Sequence, residues 1–136
     1  MAVLIWLHLL GAALWLGGLV TLAMDVLVAY RALPPETFRP FVRQAGRAFA
    51  GLSAVAWLLI GVPGIVLADR LGWTGPVRLK AALGVAILVA SVLHVVLGRR
   101  TASRAAITTS RALAVLILVG TLLVFWLGVR VSTGSA

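Results

Sequence analysis

Two histidines, one aspartate and one lysine stand inside long apolar runs of this sequence. They are His8 in WLHLLGAALWLGG, Asp25 in AMDVLVAY, Lys80 in RLKAALG and His94 in SVLHVVLG. An imidazole among leucines has two uses. Its nitrogen can ligate a metal or a haem iron, or it can satisfy a neighbouring polar group where water does not reach. Cysteine is absent, which excludes disulfides, zinc knuckles and thiolate chemistry. There is no carboxylate pair, no nucleophile beside a base and no phosphate loop. No catalytic residue is therefore assigned, and an enzyme with its own chemistry is the least expected outcome.

The spacing of these groups is helical. His8, Gly11, Trp15, Gly18, Leu22, Asp25 and Ala29 follow one another at steps of three and four, which puts them on one face. Lys80, Gly84, Ile87, Ser91, His94 and Gly98 form a similar stripe. Ionisable groups in a membrane turn toward protein, since facing lipid costs several kcal/mol. Both stripes are therefore expected to face inward. The glycines allow either close helix packing or room for a flat ring, and the sequence does not separate the two. Trp15 likewise suits the wall of a ring pocket or the filling of space between helices.

Depth decides which groups can meet. Counted from the nearest arginines, His8 lies about 34 Å along its helix and His94 about 8 Å, at about 1.5 Å per residue. Counted from the other ends, a mismatch of roughly 14 Å remains. Two imidazoles on one iron need nitrogens about 4 Å apart, given metal–nitrogen bonds near 2 Å. A bis-histidine site within one chain is thus disfavoured. Two separate polar stations fit better, His8 with Lys80 on the outer side and Asp25 with His94 on the inner. Either pair can also serve only to fix packing.

These groups need elements to hold them. The chain has 136 residues, 62% of them hydrophobic, and a mean hydropathy of +1.15; only 11% are charged. A soluble domain is about 45–50% apolar and about 25% charged, and so short a chain cannot bury the excess. An all-α integral membrane four-helix bundle in a single domain is expected. A span takes about 20 residues, and the apolar runs place spans at about 2–30, 45–68, 79–98 and 112–129. The first is read as a retained span, because it has no positive leading segment and exceeds a signal core. Pro34-Pro35, residues 72–76 and the polar stretch 101–110 mark the turns. Pro63 and Gly64 fall inside the second span, where a kink needs neighbouring helices to satisfy the freed carbonyl. Residues 36–49 carry Arg39, Arg43 and Arg47 four apart, with Phe38, Phe41, Val42 and Phe49 largely on other faces. They read as an interfacial helix leading into the second span and anchoring to the membrane surface.

The net charge of +9 and a pI near 12 raise nucleic acid as a partner. The arginines, however, lie in short clusters between apolar runs, which suits loops beside anionic lipid and excludes that partner. Arg31, Arg39, Arg43 and Arg47 in the first loop, and Arg99, Arg100, Arg104 and Arg111 in the third, outweigh Arg70, Arg78 and Lys80 near the second. Loops 1 and 3 are expected in the cytoplasm and both termini outside, in the cell inner (plasma) membrane. Trp6, Trp73 and Trp126 suit its outer interface.

The segment HLLGAALWLGGL resembles the first helix of the copper-resistance D (CopD-like) membrane proteins and of the related HemJ-type protoporphyrinogen oxidase group. Its histidine, the tryptophan seven residues on and the following glycines are His8, Trp15, Gly17 and Gly18. VRLKAALGVAILVASVLHVVLGRR resembles the lysine-led third helix, with Lys80 at the lysine and His94, followed by Gly98 and Arg99, near the histidine. The resemblance covers the first three helices, about 100 residues. It implies a four-helix membrane domain, haem b at His8 and a functional Lys80 on the HemJ-type side, and copper passage across the inner membrane on the CopD-like side.

Three functions follow. In the first, the chain holds haem b for electron transfer or haem handling. His8 is then an axial ligand, Gly11, Trp15 and Gly18 shape the pocket, and Arg70, Arg78 or Lys80 pair with the propionates. The sixth ligand would be water, a second His8 across a homodimer, or nothing. In the second, copper passes along His8, Met24, Asp25 and His94, although two methionines are few soft ligands for it. In the third, the chain is a ligand-free subunit of a larger membrane complex.

Overall fold

The computed structural model describes residues 1–100 and 104–132, and it is helical apart from short turns. Four helices follow in order: α1 Ala2–Ala32, α2 Pro35–Leu71, α3 Gly75–Arg100 and α4 Arg104–Ser132. Each is long and apolar enough to cross a membrane. Surface composition agrees with such a solvent. Leu58 is 65% exposed, Val115 63% and Val3 68%. Large aliphatic side chains facing outward along whole helices are compatible with a hydrocarbon surrounding.

The turns form where proline and glycine require them. α1 ends at Leu33, whose backbone is extended (φ −105°, ψ 141°) while its N–H still bonds the Ala29 carbonyl. The proline that follows disfavours helical geometry at Leu33. Pro35 then opens α2, where a missing N–H costs nothing. At the far end of α2, Gly72 takes a φ of +82°, the left-handed geometry that closes helices at low cost when no Cβ is present. The loop is shorter than expected, because Gly75 and Pro76 already belong to α3. Part of the third turn, residues 101–103, lies outside the described residues, as do the side chains of its arginines and of Gly98.

Residues 36–49 do not form an element of their own. They are the first part of α2, which runs without a break through Pro40 and Pro63. Arg39, Arg43 and Arg47 are all exposed on it. Near the turn, the rings of Tyr30 and Phe38 meet edge to face at 5.7 Å, tying the end of α1 to the start of α2.

The chain divides into two compact units, Met1–Leu71 and Gly72–Ala136. Each is a helical hairpin, α1 against α2 and α3 against α4. In the first, the buried residues of α1 are Gly11, Trp15 and Ala29, all on the stripe read from the sequence. In the second, Ile87 and Ile117 are buried, and Ile87 packs over Gly120. Hydroxyls in both units turn back on their own helices. Ser53 donates to the Phe49 carbonyl, Ser91 to Ile87 and Thr121 to Ile117, each at 2.7 Å. Such i−4 bonds satisfy a hydroxyl without needing water.

Candidate functional site

The site starts from His8. Its ring is half-buried between α1 and α2, and Nδ1 stands 2.8 Å from the carbonyl oxygen of Ile60. A carbonyl only accepts, so Nδ1 donates and carries the proton. In the neutral ring Nε2 then carries the lone pair, the tautomer that metal-bound histidines use when a backbone carbonyl orients them. The partner carbonyl lies in the turn of α2 disturbed by Pro63, which has no N–H for the Leu59 carbonyl. The ring lies against Gly64. A Cβ built there would stand 3.1 Å from His8 Cε1 and 3.2 Å from Nδ1. Gly64 thus leaves the space that the imidazole fills.

Below His8 the hairpin interface closes. A Cβ at Gly11 would meet Leu59 Cβ at 2.7 Å, the Ala56 carbonyl oxygen at 2.8 Å and the Ile60 nitrogen at 2.9 Å. α2 therefore rests directly on the backbone of α1 at this point. A Cβ at Gly18 would meet the Phe49 ring at 2.8 Å and Leu52 at 3.1 Å. Trp15 is 3% exposed, with its ring centroid 5.1 Å from Trp57 and 5.7 Å from Phe49. These three stripe residues lie at the contact between α1 and α2. Trp57 was not singled out by sequence. Its indole N–H is buried with no hydrogen-bond partner among the described residues. Its only sequence signal is a ring seven residues before Gly64 in an apolar run.

The remaining candidates are placed as follows. Asp25 is exposed and lies at the end of an open groove between α1 and α2. Met24 beside it is 57% exposed. His94 is half-buried on α3, and Arg78 is exposed at its start. Lys80 is half-buried, with Nζ 3.1 Å from where a Cβ on Gly128 would stand. Gly128 therefore gives the ammonium room against α4, near the helix end that favours positive charge. His8 and Asp25 belong to the first unit, Lys80 and His94 to the second. Among the described residues no three of His, Cys, Asp and Glu gather as a metal cage.

Comparison of the chain with family models, curated proteins and solved structures finds no match.

Proposed function

We propose that this chain is a four-pass inner-membrane protein that presents His8 as an axial ligand to haem b. Loops 1 and 3 are placed in the cytoplasm and both termini outside, as the arginine distribution favours. The observation that carries the reading is the hydrogen bond from His8 Nδ1 to the Ile60 carbonyl. It fixes ring orientation and leaves the lone pair on Nε2. Haem suits this setting better than a copper cage does. The porphyrin brings four nitrogens of its own and asks the protein for only one or two ligands, whereas copper bound by protein alone needs several side chains together.

Haem, when bound, supplies one-electron chemistry. The chain's part is to hold and orient. His8 would hold the iron, and Ile60 and Gly64 fix the imidazole. The tight contacts at Gly11, Trp15 and Gly18 keep the hairpin from moving beneath the ligand. They stand behind His8 and do not form a cradle for the macrocycle.

A second reading has its own support. The same hydrogen bond ties α1 to α2, so His8 can also serve only to join two helices in a subunit of a larger complex. His8→Asn separates the two. Asparagine keeps an N–H donor near the Nδ1 position and removes Nε2. Under the haem reading, purified wild-type protein supplemented with haem gives a Soret band that His8→Asn and His8→Ala both lose. Under the packing reading, neither protein binds haem and asparagine restores the stability that alanine removes.

A further inference from the structure

We propose that the open groove of the first hairpin is an interface between copies of this chain. It would take the arginine-bearing outer face of α2 from a neighbouring copy, with Asp25 as the counter-charge. The inference rests on α1 and α2 spanning the membrane and is independent of whether His8 holds haem.

The groove runs along α1 from Ala13 past Gly17 and Thr21 to Asp25, with Ala48 and Leu52 of α2 as its other wall, and encloses about 440 Å³. Ala13, Gly17, Thr21 and Asp25 are all exposed. A Cβ at Gly17 would meet nothing within 4 Å, unlike one at Gly11 or Gly18. The small side chains therefore leave this face open, and small residues let a further helix backbone approach closely.

Depth supplies the partner. Gly11 faces Ala56 to Ile60, Gly18 faces Phe49 and Leu52, and Tyr30 faces Phe38. This antiparallel register puts Asp25 level with Gln44, between Arg43 and Arg47. The stretch from Arg47 to Asp69 has no charge between its ends and is about 33 Å long, close to one hydrocarbon thickness. Asp25 therefore sits at the hydrocarbon edge, where a carboxylate strongly favours a cation. Neither Asp25 nor the two arginines make an ion pair among the described residues, and all three are exposed.

Within one copy they cannot meet. Arg43 and Arg47 lie about half a turn around α2 from the groove wall formed by Ala45, Ala48 and Leu52. Between copies they can. All copies insert in the same orientation, so a neighbour's arginines arrive at the depth of Asp25 without adjustment. Next along that outer face come Ala50 and Ala54, both exposed, small enough to approach Thr21 and Gly17. Two different faces meet, so the association is head-to-tail and continues until a ring closes.

The chain has no cysteine, which makes crosslinking specific. Two differently tagged variants, Thr21→Cys and Ala50→Cys, are co-expressed and oxidised in membranes, leaving Asp25, Arg43 and Arg47 intact. A crosslinked dimer carrying both tags is expected, with neither variant crosslinking alone. Adding Asp25→Asn or Gly17→Leu to the Thr21→Cys copy should lower the yield about fivefold or more. A Cβ at Gly17 meets nothing within 4 Å, so leucine there should enter the open groove without displacing α2, and circular dichroism of that variant should match wild type. Three results overturn the proposal. One is crosslinking only between identical positions. Another is a mixed crosslink indifferent to both groove changes. The third is a monomer in nanodiscs of phosphatidylcholine and phosphatidylglycerol whose arginines only enrich the anionic lipid. Release of the chain by alkaline carbonate would instead show that the membrane reading failed.

Discussion

The chemistry of His8 depends on two neighbours with no functional side chain. Ile60 offers a backbone carbonyl and Gly64 an absence of Cβ. Gly64→Ala should displace the ring by a few tenths of an ångström and weaken haem retention. Gly61→Ala, one turn earlier with nothing within 4 Å, should leave retention unchanged. Haem titration of both variants followed at the Soret band checks this pair. The position of His8 in an apolar helix was legible in sequence, as was the need for something to repair the turn at Pro63. That the histidine bonds the next carbonyl along, that of Ile60, was not legible. A backbone carbonyl has no residue type, and the depth match of His8 with Ile60 follows from an antiparallel register that only packing sets. Asp25 shows the reverse limit. Its helical spacing put it on the inward stripe with His8, yet it is exposed at the end of the groove, while Ala29, one turn further on the same stripe, is buried.

At the scale of the helix, the glycines of α1 divide into those that are filled and those that are open. Gly11→Ala must push against the Ala56 and Ile60 backbone, which rotamer changes cannot relieve, and should destabilise the hairpin by about 1–3 kcal/mol. Gly17→Ala meets nothing in its own chain and should stabilise α1 by about 0.5–1 kcal/mol through helix propensity. Unfolding in mixed micelles, read by helical ellipticity, distinguishes the two signs. Trp15→Ala should cost about 3 kcal/mol in the same assay, since its ring fills the space between Phe49 and Trp57. The existence of all four helices could be read from apolar length alone. Their ends could not, because α2 keeps helical geometry through the polar residues 36–47, where composition suggested a change of element. Helix continues there since Tyr30 and Phe38 give that segment a packing partner that a single helix does not reveal.

At the scale of the molecule, both hairpins expose large apolar side chains and keep their hydroxyls bonded within their own helices. A chain built so is compatible with a multi-pass membrane protein, and the proposed orientation rests on its arginine distribution. Because native cysteine is absent, single cysteines report sidedness cleanly. Cysteine at Thr37 should react with an impermeant maleimide only from the cytoplasmic side, and cysteine at Thr74 only from outside; the opposite pattern would invert the topology. The proposed role of His8, an imidazole oriented by Ile60 that binds haem iron, is tested most directly by absorbance. Purified protein in lipid nanodiscs is titrated with haem, beside His8→Asn. The account predicts a saturable Soret band near one haem per chain in wild type and none above the lipid background in the variant. A wild type that takes up no haem, or a variant that takes up as much, would contradict it.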